Sequence, residues 1–406
     1  MIIAHRIRLD PTLPQALYFT RACGVARFSY NWALTRWKED HKAGLKPTEA
    51  ALRRHLNAVK RDQFPWMLQV TKSAPQQAII NLGRAFSNFF EDLELHKRGD
   101  IDRKRIRIPK FKQKGVRDRF RADNGPRDKQ SDAVLVDTRR VKLPFIGWVA
   151  MRESVRFAGR ILSVTISHQA NSWYASFTVE APYEVDARYD TSVVGVDLGI
   201  SAYATLSDGS PKIQAQRPLL RHLQRIRRLS RSLARKNRHS RNRAKAKTKL
   251  ARLHRKIAQI RGDALHKLTS GLTRFRTIVI EDLNVKGLLG NTRISRAIAD
   301  LGLFEFRRQL GYKVAMAGST LVIADRWFPS SKLCSTCGLI NRNLRLSERT
   351  WTCVSCGSSH DRDVNAARNL ALYAESSPVS ARGAEGAGGD SLSRRETSGV
   401  EAGTMA

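Results

Sequence analysis

Four of the five cysteines stand in two close pairs near the C-terminal end of the chain. The pairs are C-x-x-C motifs separated by fifteen residues, first Cys334 and Cys337, then Cys353 and Cys356. A glycine follows each pair and permits the tight turn that points backbone amides at the sulfur atoms. Two such thiolate pairs supply the four soft ligands of a tetrahedral zinc ion. Because four cysteines leave no coordination position open, the spacing predicts structural zinc; two reducible disulfides, or a site that has lost its metal, are the alternatives.

Three acids stand where apolar segments are interrupted, end or begin. Asp197 lies inside the apolar run 193–199, where burial of an unpaired carboxylate is costly. Glu281 follows the apolar segment 277–280, and Asp363 lies at the start of a further amphipathic segment. If they converge, the three acids could bind two Mg²⁺ ions, one activating a water and the other stabilising the leaving oxygen of a phosphodiester. Taken singly, each acid could have a simpler role: Asp197 as a hydrogen-bonded core acid, Glu281 as an edge residue and Asp363 as a helix cap.

The segments around these acids predict the elements that would position them. The continuous apolar run 193–199 is typical of a strand buried on both faces, and 277–280 predicts a second strand that ends at Glu281. The other expected elements are strands at 202–207, 212–215 and 321–324, a helix near 298–316 and a last helix near 364–374. The C-terminal half is therefore expected to be an α/β domain.

The first half of the chain combines helical and strand periodicity. Residues 173–180 alternate apolar and polar side chains, which predicts a strand with one buried face and a hairpin partner at 164–166 across Asn171. The other expected elements are a strand over 1–10, helices over 15–38 and after Pro75, a basic irregular connector over 97–121 and further strands within 134–181. We expect a small β-barrel or sheet that includes the N-terminal strand, with the helices of 15–95 inserted.

The charge of the chain is strongly positive. Lys and Arg number 73, Asp and Glu number 36, and the formal net charge is +37. Such an excess repels itself unless a polyanion neutralises it, and nucleic acid is the usual polyanion. An anionic membrane is the alternative, but the sequence has no apolar run near 18 residues and no amphipathic N-terminal anchor. Nucleic acid is therefore the predicted partner.

The positive charge is concentrated in residues 217–261, which hold 18 Lys and Arg and no acid. Leucines and isoleucines form one apolar stripe in each half of this stretch, and a turn-like segment at 237–242 separates the halves. The pattern predicts a helical hairpin that packs through its stripes and exposes a cationic surface. A solvated cationic face without a ligand is the alternative for any single side chain.

The two ends of the chain indicate its cellular compartment and a disordered segment. The first eight residues are too short and too charged for a signal peptide, and the paired cysteines suit a reducing interior. The expected location is therefore a reducing interior compartment. Residues 376–406 are rich in Gly, Ser, Ala and Glu, which predicts a disordered tail.

Four segments, in this order, resemble the signature of the TnpB family, proteins that insertion sequences encode and that are related to type V CRISPR effectors. The segments are 195–200, 280–283, 328–338 and 361–367. The resemblance covers roughly residues 1–375 and is most specific over 193–375. It implies a RuvC or RNase H-like nuclease domain with a zinc-ribbon insertion and a catalytic triad of Asp197, Glu281 and Asp363. Asp361 also lies in the last segment, but Asp363 is the acid that matches.

The resemblance also implies a division into domains. The expected domains are a β-barrel (wedge) at 1–12 and 97–190, a helical recognition domain at 13–96, a nuclease domain at 191–331 and 358–375 that carries the basic hairpin 217–261, a zinc ribbon at 332–357 and the disordered tail 376–406.

The implied activity is RNA-guided cleavage of DNA, and the implied location is the cytoplasm of a prokaryote, in association with the nucleoid. Family members bind a guide RNA, recognise a short flanking motif in double-stranded target DNA and hydrolyse both strands at one two-magnesium site. One protein copy per RNA is expected, although a dimer stays open. The basic hairpin and the connector 103–121 would hold phosphates by shape. The expected nucleic-acid contacts are Arg225, Arg228, Arg235, Lys236, Lys245 and Lys249 in the hairpin, and Lys72, Ser73 and Gln76 for the flanking motif.

The flanking-motif contacts and the activity each have alternatives. Capping and ordinary surface polarity account for Lys72, Ser73 and Gln76 equally well. A regulator that binds DNA through a guide without cutting is a second hypothesis, but the intact acid triad argues against it. A strand-transferring transposase is a third, and it requires products in which DNA ends are joined.

Overall fold

The computed structural model describes residues 1–124, 134–182, 190–345 and 347–376. The chain divides into two compact units, Met1–Tyr183 and Glu184–Ala406. The predicted disorder of the tail lies outside the described residues, except for Ser376, which ends a helix. None of the helices in these ranges combines the length and apolar character that a membrane crossing requires.

The first unit combines three long helices with one antiparallel sheet. The helices are α1 (Leu13–Lys42), α2 (Glu49–Gln63) and α3 (Ser73–Lys97). The strands are β1 (Ile2–Asp10), β2 (Arg119–Asp123), β3 (Leu135–Asp137), β4 (Arg140–Leu143), β5 (Gly147–Met151), β6 (Arg160–Gln169) and β7 (Ser172–Glu180). Their order in the sheet is β2-β6-β7-β1-β5-β4-β3.

The predicted hairpin and the joining of the N-terminal strand are both confirmed. β6 and β7 pair across a two-residue turn in which Ala170 and Asn171 have positive φ, as the type I′ hairpin turn requires. β1 then pairs with β7 along eight positions. Within 1–124 and 134–182, no pairing joins the outer strands β2 and β3. Closure into a barrel is therefore not confirmed and stays a prediction.

The helices of the first unit extend the predicted ones. α1 covers the expected 15–38, and α3 begins two residues before Pro75. Proline fits there because the amides of a first helical turn have no partner within the helix. α2 was not predicted; it buries only Leu52 and Leu56 among its residues, so its apolar face is narrow.

The second unit is an α/β arrangement. Its strands are β8 (Asp190–Leu198), β9 (Ala202–Leu206), β10 (Ile213–Gln214), β11 (Phe275–Glu281), β12 (Thr320–Ala324), β13 (Thr350–Thr352) and β14 (Ser359–Asp361). Its helices are α4 (Pro218–Ala234), α5 (Arg241–Leu272), α6 (Val285–Gly290), α7 (Ser295–Leu301), α8 (Leu303–Ala317) and α9 (Arg362–Ser376). The main sheet has the order β10-β9-β8-β11-β12. β8, β11 and β12 are parallel, and β9 is antiparallel to β8.

Both faces of this sheet are covered, as the apolar run around Asp197 predicts. On one face Val194 and Val196 belong to a core with Phe306 of α8. On the other face Val279 packs with Leu370 of α9. The predicted helix over 298–316 is wrong as a single helix: it is split into α7 and α8 at Gly302, whose φ is +71°.

The predicted basic hairpin is confirmed as α4 and α5, and α5 continues beyond residue 261 to Leu272. Its base is fixed by Asp300, a buried carboxylate that accepts hydrogen bonds at 3.0 Å from the amides of Leu219 and Leu220. Arg261 of α5 donates to the same carboxylate at 3.2 Å. Asp300 thus caps α4 and ties both helices to the body of the unit.

Candidate active site and cysteine cluster

Asp197 and Glu281 stand next to each other on neighbouring parallel strands. In the pairing of β8 with β11, Val196 is opposite Ile280, and the two acids are the next residue on each strand. Equivalent positions on paired strands present their side chains to the same face of a sheet. The strand register therefore brings together two acids that are 84 positions apart in the chain.

Asp363 reaches the same place because α9 lies directly on β8. A Cβ atom on Gly195 would be 1.9 Å from the carbonyl oxygen of Ala367 and 2.6 Å from the nitrogen of Ala371. Only glycine in the strand, facing small residues in the helix, permits this approach. Ala367 is fully buried in the contact. The packing sets the position of the first turn of α9, which carries Asp363.

Substitution of Gly195 should disturb this packing. We expect Gly195→Ala to lower the free energy of unfolding by about 1–3 kcal/mol, because the methyl group overlaps backbone atoms of α9. Urea denaturation measures the change. Gly262→Ala is the matched control, since Gly262 lies in α5 with no atom within 4 Å of the added carbon. Equal stability of the two variants would contradict the close contact of β8 with α9.

The electrostatic environment of Asp197 includes the other two acids. Burial, which is the largest cause, and the negative charges of Glu281 and Asp363 together raise the pKa of Asp197 from 3.8 to about 7, against the opposing charges of Arg362 and Lys212. A carboxyl that ionises reluctantly gains most from a bound cation. The three acids proposed from the sequence are thus brought together at one end of the sheet.

The pKa of Asp197 predicts a pH-dependent stability. Its carboxyl binds the proton more tightly in the folded chain than in the unfolded chain, so ionisation lowers the free energy of unfolding as pH rises from about 4 to about 7, by at most about 4 kcal/mol. We expect Asp197→Asn to stabilise the protein at pH 8 without added Mg²⁺ and to be neutral near pH 4. Urea denaturation at both pH values measures this; the same effect at each would contradict it.

Lys212 is part of the acidic site, although the sequence pattern around it predicts only the start of a short strand. Its Nζ donates to both carboxylate oxygens of Asp361, at 2.8 and 2.9 Å, and to Asp363 at 2.9 Å. Asp361 also accepts from the amides of Asp363 and Val364. Asp361 therefore caps α9, so the capping role considered for Asp363 belongs to its neighbour.

The donor set of the acids suits a hard cation, because carboxylate oxygens are the ligands that Mg²⁺ prefers. The acids nevertheless form a looser group than the cysteines. Over the ranges that the structure describes, only the four cysteines form a cluster of three or more potential ligands with atoms within 4.8 Å of one another. Asp363 contacts Lys212 Nζ, which supplies a positive charge at this position.

The four cysteines form a compact cluster. The sulfur atoms of Cys334 and Cys356 are 3.7 Å apart, and those of Cys337 and Cys353 are 3.6 Å apart. A tetrahedron with Zn–S bonds of about 2.3 Å has edges of about 3.8 Å, so the sulfurs fit zinc. All five cysteines are free, so the disulfide alternative is wrong. Cys23 is a buried residue of the helical core, as expected.

Both cysteine knuckles have the expected turn. Gly338 and Gly357 have φ of +77° and +70°, and each donates its amide hydrogen to the carbonyl of the first cysteine of its pair. His360 was not identified from the sequence, where it is a lone histidine. Its Nε2 lies 3.1 Å from the sulfur of Cys334, and its ring packs on Trp351 at 4.8 Å. Contacts of this kind orient a ligand to a metal.

The residues proposed to contact nucleic acid are accessible. In the hairpin, Lys236 is half-buried and the other five are exposed: Arg225, Arg228, Arg235, Lys245 and Lys249. A concave region of about 410 Å³ is lined by Arg228, Arg231, Ser232, Arg235 and Lys236. At the start of α3, Lys72 and Gln76 are exposed and Ser73 is half-buried; the side chain of Lys72 does not cap the helix, and the hydroxyl of Thr71 accepts from the amide of Ser73 at 3.4 Å.

Three family models match separate stretches of the chain. A model described as "Probable transposase", of the IS605 OrfB proteins, matches residues 176–292. A "Cas12f1-like, TNB domain" model matches residues 304–370, and a "Helix-turn-helix domain" model matches residues 1–46.

Curated relatives match over nearly the whole chain. A protein of Streptomyces pristinaespiralis named "Putative RNA-guided DNA endonuclease" is 36% identical over 382 residues, which are 90% of this chain and 88% of the relative. The chain belongs to the TnpB family. A second relative, "Putative RNA-guided DNA endonuclease InsQ" of Escherichia coli K12, is 31% identical over 385 residues, 90% of this chain and 91% of that protein.

Among solved structures, this TnpB-family chain is similar to CasPhi-2 (Cas12j) bound to crRNA. The likeness covers 92% of this chain and 98% of that one, with 11% sequence identity and a TM-score of 0.44. The family assignment therefore depends on the sequence relatives. Within residues 1–46 the TnpB-family chain has β1 and the single helix α1, so this stretch alone contains no helix-turn-helix.

Proposed function

We propose that this TnpB-family chain is an RNA-guided DNA endonuclease that hydrolyses target DNA at Asp197, Glu281 and Asp363. The observation that carries the proposal is the convergence of the three acids at one end of the β8–β11 sheet, where Asp197 responds to the charges of the other two. The names of the relatives support RNA-guided endonuclease activity. The net charge of +37 supports a polyanionic partner.

The nuclease fold that we propose is RuvC-like. Its support is the strand order β10-β9-β8-β11-β12, with β9 antiparallel and β8, β11 and β12 parallel, as in RNase H-like sheets. The domains proposed with it are the β-barrel (wedge) at 1–12 and 97–190, the helical recognition domain at 13–96, the nuclease domain at 191–331 and 358–375, and the zinc ribbon at 332–357.

Asp197, Glu281 and Asp363 would hold two Mg²⁺ ions, which supply a water activated as nucleophile and a positive charge for the leaving oxygen. The chain's own contribution is the geometry. The β8–β11 pairing fixes two of the carboxylates, and α9 fixes the third. Lys212 and Arg349, whose nitrogens are 2.9 and 3.8 Å from the carboxylate of Asp363, balance its negative charge.

The guide RNA and its duplex with DNA are proposed to lie along the basic hairpin and the connector 103–121. The hairpin contacts are Arg225, Arg228, Arg235, Lys236, Lys245 and Lys249. The flanking DNA motif is assigned to Lys72, Ser73 and Gln76, because an exposed lysine and an exposed amide at the start of a helix could reach base edges.

The test of this function begins with the RNA. Sequencing the RNA that co-purifies with the full-length protein should give one species with a constant scaffold and a variable end. The complex is then incubated in Mg²⁺ with DNA that matches the variable end, and with DNA that matches only a second, reprogrammed RNA. The proposal is supported if each complex cleaves only the DNA that matches the RNA it carries. Binding without a nick would support a silent regulator, and joined DNA ends would support a transposase.

The hairpin contacts make a prediction about salt. We expect the double variant Arg228→Ala, Arg235→Ala to weaken RNA binding. The slope of log K against log [salt] should become smaller in magnitude by about 1.4–1.8, because each lost phosphate contact changes the slope by about 0.7–0.9. Filter binding between 50 and 300 mM salt measures the slope. Lys267→Ala is the control, because this lysine of α5 is paired with Asp263 at 2.8 Å. An unchanged slope in the double variant would remove these two arginines from the interface.

A further inference from the structure

We propose that the cysteine cluster positions the acidic site, through a segment at residues 330–335 in which Ser330 orients Glu281. The inference rests on the proposed function, because it treats Glu281 and Asp363 as metal ligands. It adds three positioning residues, Ser330, Asn365 and Asn369. It also gives the zinc a role, which is to hold the segment that positions the acids.

The first contact joins the segment to Glu281. Ser330 is buried, with 4% of its surface exposed, and its hydroxyl donates a hydrogen bond to the carboxylate of Glu281. The amide of Ser330 donates to the carbonyl of Phe328 at 2.8 Å, which fixes the backbone that presents the hydroxyl. A carboxylate at the end of a strand has rotational freedom, and a buried hydroxyl donor restricts it.

The second contact joins the same segment to α9, which carries Asp363. The side-chain amide of Asn369, fully buried, donates to the carbonyls of Ser330 at 2.7 Å and Leu333 at 2.6 Å. One turn earlier, Asn365 donates to Leu333 at 2.6 Å and accepts from the amide of Ser335 at 3.0 Å. Two asparagines on one face of the helix therefore bind the whole length of the segment.

The third contact is covalent, because the segment contains Cys334. The amide of Cys334 donates to the carbonyl of Leu339 and its carbonyl accepts from Gly338, both at 2.9 Å, so the segment ends in the first knuckle. A bound zinc would immobilise this knuckle against the second cysteine pair. Glu281 and Asp363 are thus held by one segment whose far end is a metal-binding turn.

The experiment measures binding of Mn²⁺ alone to the full-length chain after its RNA has been removed, by calorimetry, with Asp197→Ala to identify the heat that comes from the acidic site. We expect Ser330→Ala to weaken this binding about tenfold, as loss of a hydrogen bond to a charged group does. Ser330→Thr, which keeps the hydroxyl, should stay within about twofold of the unmodified protein. Ser319→Ala is the control, because Ser319 lies outside the segment and its hydroxyl donates to the carbonyl of Thr273 at 3.4 Å.

A double-variant comparison tests the connection to the cysteines. Cys356→Ser removes an exposed ligand from the second pair, and we expect it to weaken Mn²⁺ binding although it touches no acid. If the segment transmits the effect, Ser330→Ala should weaken binding less in the Cys356→Ser background than alone. The Mg²⁺ concentration for half-maximal DNA cleavage should be higher in each variant that binds Mn²⁺ more weakly.

The outcomes separate the two proposals. Unchanged Mn²⁺ binding in Ser330→Ala, with a clear loss in Asp197→Ala, overturns the positioning role and leaves the proposed function intact. Additive effects of Ser330→Ala and Cys356→Ser overturn the transmission from the cysteine cluster. Identical isotherms for Asp197→Ala and the unmodified protein overturn the acidic metal site, and with it both proposals.

Discussion

Asp197→Asn is expected to abolish cleavage of target DNA while RNA binding is retained. The substitution keeps the shape of the side chain and removes the charge that would hold a divalent ion between the acids. A bound metal supplies several kcal/mol of transition-state stabilisation, so a loss on the order of a thousandfold or more in the cleavage rate follows. Single-turnover cleavage of labelled DNA by the RNA complex measures the rate, and gel-shift titration measures RNA affinity.

The control for this variant is Asp208→Asn. Asp208 follows β9 in the same unit, where it is paired with Arg274 at 2.9 Å, and it is not among the acids that act on Asp197. Its substitution should leave the cleavage rate within about twofold. Cleavage by Asp197→Asn at the rate of the unmodified protein would exclude the acidic site and leave a cationic RNA-binding protein with a cysteine cluster.

Loss of zinc is expected to have the second large effect. We expect one zinc per chain by elemental analysis, and we expect Cys353→Ser to lose it. Structural zinc sites contribute on the order of 10 kcal/mol to the folding of small metal-binding segments, and the core of this one is small. It consists of Cys334, Leu344, Trp351 and Cys353. Residues 332–361 should therefore exchange their amide hydrogens rapidly in the variant, as measured by mass spectrometry.

Cys23→Ala provides the comparison for the zinc experiment. Cys23 is equally buried but lies in α1 of the first unit, among apolar side chains, and it is not one of the four cysteines of the cluster. This variant should keep one zinc and normal exchange over residues 332–361. Zinc content that is the same in Cys353→Ser and Cys23→Ala would contradict the assignment of the ligands.

Features that depend on neighbours in the chain were predictable from the sequence. The two cysteine knuckles are local turns, so spacing and the following glycines were enough to predict the cluster. The alternation over 173–180 and the apolar run 193–199 each predict a strand from side chains a few positions apart. The basic stretch 217–261 carries its own helical periodicity, and it forms α4 and the start of α5. Their places in or beside apolar segments drew attention to Asp197, Glu281 and Asp363 among 36 acids, but only the resemblance to a family assigned the three to one triad.

Contacts between distant segments were decided by the tertiary structure. The register of β8 against β11 and the approach of α9 to Gly195 bring the acids together, and no pattern within one segment encodes either. The same holds for Lys212 and Ser330, polar residues whose partners lie 49 or more positions away. Their roles depend on burial and on the atoms opposite them. The sequence by itself thus determined the chemical groups and the local turns and helices, while packing of the sheet decided which of these groups meet.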